Sequence, residues 1–201
     1  MEEKYNSGLV SQSFWFIEFK KIVQLYHEGN DYNEIKRCCT EENLFGAVNP
    51  YRGKRMCGYL LARLKTMDNR LIEIFINADI TTQKLINFVT VMNVNRLFFE
   101  FVYEVYRNKL LTDEKSFGME DANIFFSQKE SQNDDIAAWN EVTKKRFKSI
   151  LLNFLTEADM LKWADDKKQK RCVNRVFVNI DLENYLKGTN VSIYNAIAGE
   201  N

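Results

Sequence analysis

Residues that break the backbone are scarce in this chain, and their scarcity restricts its possible folds more than any motif does. The 201 residues include one proline and eight glycines, against fifteen Phe and nine Tyr. Because proline and glycine interrupt regular structure, their rarity favours long helices over a sandwich of many short strands. The many aromatic residues argue against a collagen, a flexible linker or a disordered chain. We therefore predict a mainly α-helical globular fold.

Helical signals begin near the N-terminus. Apolar residues from Trp15 to Tyr26 recur at spacings of 4, 3 and 4 and predict an amphipathic helix over Val10–Glu28. Asp31 followed by Glu34 has the spacing of a capping box and predicts a short helix to about Thr40.

A third helix is predicted from Pro50 to about Met67. Asn49 is suited to the N-cap position, and proline at the first helical position loses no hydrogen bond. Short helix, turn and longer helix over residues 31–67 have the outline of a helix-turn-helix unit.

Charge is the most informative part of the composition. The chain has 28 basic and 28 acidic residues, yet residues 49–70 hold six basic residues and one acidic residue. Residues 136–201 hold eleven basic and eight acidic residues, whereas the other two segments of the chain have more acidic than basic residues. A nucleic-acid-binding protein needs a local positive field rather than a high overall charge. The two basic blocks are therefore candidate DNA-binding surfaces.

The first basic block falls on the third helix. Its spacing predicts an exposed stripe of Arg52, Arg55, Tyr59 and Arg63, with Lys54 near the start of the helix. Arginine and lysine on such a helix can contact phosphates or guanine edges in the major groove. The alternative is the ordinary solvated face of a structural helix, but such faces usually mix both signs of charge.

Residues 70–111 have Phe-rich helical periodicity and are predicted to form a core scaffold, with Thr81 or Thr82 capping one helix. The polar segment Leu111–Gly118 predicts a boundary between an N-terminal helical subdomain, 1–111, and a C-terminal winged-helix-like subdomain, 112–201.

The second basic block combines a helix and a hairpin. Thr143 is predicted to cap a helix to about Ala158 whose first turns carry Lys144, Lys145, Arg146 and Lys148. A phosphate bound at this end would be favoured by the cations and by the free N–H groups. A β-hairpin is predicted from strands at Met160–Trp163 and Arg175–Val178. Its tip would be a wing that carries Lys167, Lys168, Lys170 and Arg171. The alternative is a hairpin turn that is merely soluble.

Candidate catalytic and metal-binding residues are few. The chain has one histidine, four cysteines without a CxxC pair, and no HExxH, GxGxxG, P-loop or GxSxG motif. The cysteines are predicted to be reduced and mostly buried. The acidic pairs Asp134–Asp135 and Asp165–Asp166 leave a magnesium-dependent nuclease as a weak hypothesis, because adjacent carboxylates diverge on a helix or a strand. We predict no enzyme activity, no metal and no cofactor.

Membrane and secretion signals are also absent from the sequence. No apolar stretch approaches the roughly 18 residues that a membrane span needs, and the N-terminus is acidic rather than basic and apolar. A cytoplasmic location without membrane association is expected.

Several short motifs are spread over nearly the whole chain: Tyr5–Gly8, Glu18, Glu42–Leu44, Arg63–Leu64, Arg96–Phe98 with Phe101–Val102, and Thr143. Together, in this order and spacing, they resemble the BrxA family of accessory proteins of BREX bacteriophage-exclusion systems. The resemblance implies a bacterial cytoplasmic protein of mostly helical fold with winged-helix-like parts. It also implies double-stranded DNA binding, a role in defence beside a DNA methyltransferase and ATPases, and no catalytic residue.

Two hypotheses follow for function. The first is a non-enzymatic module that binds double-stranded DNA through the basic helices and the wing. The second is a protein-interaction adaptor whose basic surfaces dock acidic surfaces of other BREX proteins.

Overall fold

Two compact units make up the protein, which we describe from a computed structural model covering residues 4–167 and 169–200. The inserted unit is Phe14–Val94. The terminal unit combines the residues up to Ser13 with those from Asn95 onward. The predicted fold class is confirmed, since most residues are helical and one small antiparallel sheet is present. These units divide the chain after Ser13 and after Val94, whereas the one boundary predicted from the sequence lies at 111/112.

Five helices form the inserted unit: α1 (Phe16–His27), α2 (Tyr32–Thr40), α3 (Pro50–Leu64), α4 (Asn69–Asn77) and α5 (Ile80–Val94). Helix α5 lies at the centre, since most of its side chains are buried, including the polar Asn87 and Thr90. A helix buried on nearly all sides belongs to the core of its unit. The Phe19 and Phe75 rings of α1 and α4 meet edge to face with centroids 5.7 Å apart.

Local capping signals account for the helix starts. Asp31 accepts hydrogen bonds from the Asn33 and Glu34 backbone N–H groups, and Glu34 bonds back to the Asp31 N–H, which confirms the predicted capping box. Asn49 caps α3 with Pro50 in the first turn, also as predicted. Helix α5 is not capped by Thr81 or Thr82 as predicted. Asp79 is its cap, since the Asp79 carboxylate accepts a hydrogen bond from the Thr82 N–H.

Helix α1 starts later than predicted. Gly8–Ser11 form a separate 3₁₀ turn in the terminal unit, and α1 begins only at Phe16. Between them Trp15 has φ 49° and ψ 45°, a left-handed conformation in which the chain cannot continue a right-handed helix. The apolar residues predicted to form one helix over Val10–Glu28 therefore belong partly to the 3₁₀ turn and partly to α1.

The terminal unit contains the other helices and the sheet. In chain order they are α6 (Arg96–Phe101), a π-helical turn (Val102–Tyr106), α7 (Arg107–Leu111), β1 (Ser116–Phe117), α8 (Met119–Gln132), α9 (Asp134–Ala137), α10 (Glu141–Glu157), β2 (Leu161–Trp163), β3 (Arg171–Val173), α11 (Ile180–Thr189) and α12 (Val191–Ala198). The sheet is antiparallel, with β3 between β1 and β2. The core of the terminal unit contains five fully buried phenylalanines: Phe101, Phe117, Phe125, Phe126 and Phe147.

The β2–β3 hairpin confirms the predicted position of the first strand but not of the second. Leu161 pairs with Val173 and Trp163 with Arg171, so the second strand lies four residues before the predicted Arg175–Val178. The Asp165 carboxylate accepts the backbone N–H groups of Gln169 and Lys170 and closes a short loop. Across this short loop Arg171, and not Arg175, lies opposite Trp163.

A partly buried ionic cluster attaches the N-terminal segment to the rest of the terminal unit. The Glu100 carboxylate accepts hydrogen bonds from the Tyr5 hydroxyl at 2.9 Å, Arg96 Nε at 2.7 Å and Lys129 Nζ at 2.7 Å. The Lys129 ammonium also reaches Glu104 at 2.6 Å. Burial alone would raise the pKa of Glu100, but these three donors outweigh it and hold that pKa below its usual range.

This cluster predicts a specific acid sensitivity. A carboxylate with a lowered pKa stabilises the fold above its unfolded pKa of about 4.3, and this stabilisation is lost as pH falls through the folded value. We expect Glu100→Gln to be less stable than wild type at pH 7, with a shallower loss of stability between pH 5 and pH 3. Urea unfolding at several pH values measures both effects. The exposed Glu120→Gln variant is the control, and a Glu100→Gln curve parallel to wild type would contradict the assignment.

Candidate nucleic-acid interface

The first basic cluster lies on the N-terminal half of α3. Arg52, Lys54 and Arg55 are exposed, and none forms an ion pair with any residue that the structure describes. No acidic residue occurs in the first turn of α3. Next to them the side chains of Val48 and Tyr51 are 92% and 75% exposed. We call Arg52, Lys54 and Arg55 the α3 cluster. The α3 cluster supplies positive charge without an ion-pair partner, and the neighbouring Val48 and Tyr51 supply exposed apolar area that a partner could contact.

Arg63 does not belong to this surface, and its predicted exposure is wrong. The residue is fully buried. Its Nη1 donates to the Phe14 carbonyl oxygen at 2.8 Å, and its guanidinium lies 5.9 Å from the centre of the Trp15 ring. Burial lowers the pKa of Arg63 to about 9. The stripe fails because Phe14 and Trp15 cover the C-terminal end of this helix face, where Arg63 lies, whereas Arg52 and Arg55 at its N-terminal end stay exposed.

The second basic cluster lies on α10. Asn140, not the predicted Thr143, caps this helix, since the Thr143 N–H donates to Asn140 Oδ1 at 2.8 Å. Lys145 and Arg146 are exposed and have no ion-pair partner in the described part of the chain. We call Lys145 and Arg146 the α10 cluster. Its two side chains border a surface cavity of about 530 Å³.

The other two predicted cations of α10 are engaged by the protein itself. Lys144 is buried, and its ammonium pairs with Glu130 and Glu141 at 3.2 Å each, so its prediction as a free surface cation is wrong. Lys148 is half-buried, with its ammonium 5.7 Å from the centre of the Phe126 ring. The Glu130 partner lies on α8 and could not be assigned to Lys144 from helical spacing.

The hairpin loop exposes Lys167 and Lys170, whereas Lys168 lies outside the described residues. Arg171 lies in β3, not in the tip as predicted. Its guanidinium is 4.0 Å from the centre of the Trp163 ring, and it donates to Thr156 Oγ1 and Asn153 Oδ1. Arg171 therefore joins the hairpin to α10, and burial lowers its pKa.

Two exposed lysines were not among the predicted site residues. Lys65 follows α3 and lies on the same face as Lys54, and Lys36 faces them from α2. Lys54 and Lys65 are three helical turns apart, and this spacing could have placed them on one face of the helix from the sequence alone. The pairing of α2 with α3, which adds Lys36, requires the tertiary structure.

The described part of the chain contains neither a group of metal ligands nor a single helix suited to cross a membrane. Over residues 4–167 and 169–200, no three His, Cys, Asp or Glu side chains are grouped as a metal site needs. The four cysteines are free thiols, of which Cys39 and Cys57 are buried. No single described helix is long and apolar enough to cross a membrane; only α5 and the bent helical run after it reach that length and composition jointly.

The fold and its surfaces define a small, mostly helical protein of two units, each with a capped helix that presents unpaired cations. The family model for BrxA matches residues 3–190, and a protein named BREX protein BrxA from Bacillus cereus (strain H3081.97) is 34% identical over 193 residues. That alignment covers 96% of this chain and 95% of the relative. The chain belongs to the BrxA family.

The fold has also been seen in a solved structure. An uncharacterised protein from Magnetospirillum magneticum superposes with a TM-score of 0.80 at 17% sequence identity, covering 98% of this chain and all of the other. Identity this low supports a shared fold and nothing about function.

The contrast between two arginines of α3 yields a stability prediction. Arg63→Ala leaves a cavity and removes a buried donor, so we expect a loss of about 3 kcal/mol in the free energy of unfolding. Arg55→Ala, on the exposed side of the same helix, should change it by no more than about 0.5 kcal/mol. Urea denaturation followed by circular dichroism measures both variants. Equal effects would show that Arg63 is not a structural residue.

Proposed function

We propose that this chain is a non-enzymatic accessory protein of a bacterial phage-defence (BREX) system that binds double-stranded DNA. The observation that carries the proposal is the pair of clusters on α3 and α10, whose cations have no ion-pair partner among the described residues. Unpaired cations keep their full charge for phosphates, and their release of DNA counterions provides affinity that does not depend on sequence. The name of the Bacillus relative supports the place in a BREX system.

The arrangement around α10 supports a winged-helix interpretation. The order β1, α8, α9, α10, β2, β3, with β3 between the other strands, resembles the arrangement of a winged helix. In helix-turn-helix proteins the second helix of the motif enters the major groove and its N-terminal residues reach the bases. Lys145 and Arg146 occupy the corresponding part of α10, and Lys167 and Lys170 the loop that would act as the wing. The α2–α3 pair supplies a second helix-turn-helix-like surface.

The proposal places the protein in the cytoplasm, where DNA is accessible, and assigns it no catalytic role. Incubation of plasmid with purified protein and Mg²⁺ tests that assignment, because nicking above a mock preparation would contradict it. DNA contacts are expected mainly with phosphates, which exposed Arg and Lys side chains bind regardless of the base sequence.

The salt dependence of binding tests each cluster separately. Each lost phosphate contact reduces the slope of log K against log salt by about 0.9. We therefore expect Arg52→Ala/Arg55→Ala and Lys145→Ala/Arg146→Ala each to flatten the slope by up to about 2 in mobility-shift titrations on an unrelated duplex. Lys20→Ala/Lys21→Ala removes the same charge from exposed positions of α1 and should leave the slope near that of wild type.

Three outcomes would decide against the proposal or part of it. No shift of the wild-type protein at low salt would exclude DNA binding. An unchanged slope in a folded double variant would remove that cluster from the interface. Equal flattening by the Lys20/Lys21 control would show a general charge effect instead of defined contacts.

A protein-interaction adaptor is the second candidate function. It is favoured by the exposed apolar side chains beside each basic cluster: Val48 and Tyr51 near α3, and Val142, which is 63% exposed, on α10. Aromatic and basic residues together are typical of protein–protein contact surfaces. A complex with other BREX proteins that survives nuclease treatment and high salt, and that Tyr51→Ala weakens, would support this function over DNA binding.

A further inference from the structure

A pocket of about 440 Å³ lies between α2 and α3 and is lined by three lysines. Helix α3 and its end contribute Lys54 and Lys65, and α2 contributes Lys36. None of the three ammonium groups has an ion-pair partner in the described structure, and neither Asp nor Glu is among the described residues that line the pocket. Three like charges around one cavity repel one another, and an anion between them would relieve that repulsion.

Gly58 lies on the wall of this pocket without a packing reason for being glycine. It occupies the middle of α3, where glycine lowers helix stability relative to alanine. A Cβ atom added there would meet no atom within 4 Å. Gly53, one and a half turns earlier, differs because a Cβ there would approach the Cys39 carbonyl oxygen to 3.5 Å, where α2 and α3 pack closely. Absence of a side chain at Gly58 keeps the pocket open beside the helix backbone.

The rest of the lining includes apolar and aromatic side chains beside the polar Asn33. Leu61 and Ala62 of α3 and Tyr32 of α2 line the pocket, and the Lys65 ammonium lies 5.2 Å from the centre of the Tyr32 ring. The Lys36 charge also affects Cys57, another residue that lines the pocket. The pKa of the Cys57 thiol is lowered by a hydrogen bond from Cys39 and, against the effect of burial, by Lys36. The pocket thus combines positive charge with an apolar surface.

We propose that this pocket binds a phosphorylated small molecule of about the size of a nucleoside monophosphate. The lysines take the phosphate, and Leu61, Ala62 and Tyr32 contact the organic part. Inorganic phosphate alone would leave most of the cavity empty, since a water molecule takes up about 30 Å³ of liquid and a phosphate only a few times that. The volume is within the range of about 300–1,000 Å³ that is usual for small-molecule sites.

Thermal unfolding and isothermal titration calorimetry with the eight common nucleoside monophosphates test the proposal on the full chain. At least one nucleotide should raise the melting temperature, whereas adenosine and inorganic phosphate at the same millimolar concentration should not. Lys36→Ala/Lys65→Ala should lower the affinity for that nucleotide by about tenfold or more, because each lysine provides a charged hydrogen-bond donor. Gly58→Leu should fill the pocket and abolish binding without unfolding the protein.

Matched controls separate the pocket from general effects. Gly188→Leu changes another exposed helical glycine with open space around it, in the terminal unit, and should bind the nucleotide like wild type. Lys20→Ala/Lys21→Ala removes two exposed charges outside the pocket and should also bind normally. If Gly58→Leu does not fold, the Lys36/Lys65 variant still decides the test.

The proposal is overturned if no nucleotide stabilises the wild-type protein, or if the pocket variants bind as tightly as wild type. It is also overturned if the pocket variants lose duplex DNA while no nucleotide binds, because the lysines would then hold a phosphate of the DNA backbone. Nucleotide binding does not depend on DNA binding. A wild-type protein that binds a nucleotide but no duplex would contradict the proposed function alone, and Arg52→Ala/Arg55→Ala should retain the nucleotide.

Discussion

One buried guanidinium organises the inserted unit. Arg63 Nη1 and Asn87 Nδ2 both donate to the carbonyl oxygen of Phe14, at 2.8 and 3.0 Å, at the point where the chain enters this unit. The next residue, Trp15, adopts a left-handed conformation that non-glycine residues rarely use. Its ring lies against Tyr59 of α3, with centroids 6.2 Å apart. These contacts join α1, α3 and α5 at one point and hold the strained turn.

The position of Arg63 also decides what α3 can present to a partner. Because this residue holds the C-terminal half of its own face in the core, solvent reaches only the N-terminal half of that face, with Arg55, and the opposite side of the helix, with Lys54 and Gly58. In the terminal unit Lys144 and Lys129 are likewise paired in the interior, and Lys145 and Arg146 remain outside. Each unit therefore uses some cations for its own stability and leaves others uncompensated. A count of basic residues cannot separate these two groups.

Local signals in the sequence predicted local structure well. The Asp31 capping box, the Asn49–Pro50 helix start and the first strand of the hairpin depend on residues within one or two turns of each other, so spacing alone identifies them. The buried cations depend on partners far along the chain. Arg63 meets a carbonyl 49 residues away, and Lys144 meets Glu130 on another helix. The second strand was misplaced because β propensity is highest at Arg175–Val178, whereas the short loop closed by Asp165 brings Arg171–Val173 opposite the first strand.

The same limit applies to the pocket between α2 and α3. The sequence shows a glycine between two lysines on one face of a helix, which is an unremarkable pattern. Only the packing of α2 brings Lys36 and Tyr32 to that face and turns the pattern into a cavity. Residues that contact a ligand from two helices are therefore visible only after the helices have been placed.

The discontinuity of the terminal unit has a consequence for biosynthesis. Tyr5 leaves the ribosome before its partner Glu100, which is 95 residues further along the chain. At a translation rate of roughly 5–20 residues per second, the N-terminal segment waits roughly 5–20 s for that partner, and longer for Lys129. All of Phe14–Val94 is synthesised within this interval and can fold first. The nascent chain thus acquires its α3 surface before the N-terminal segment is secured, and closure of the terminal unit is a late step of synthesis.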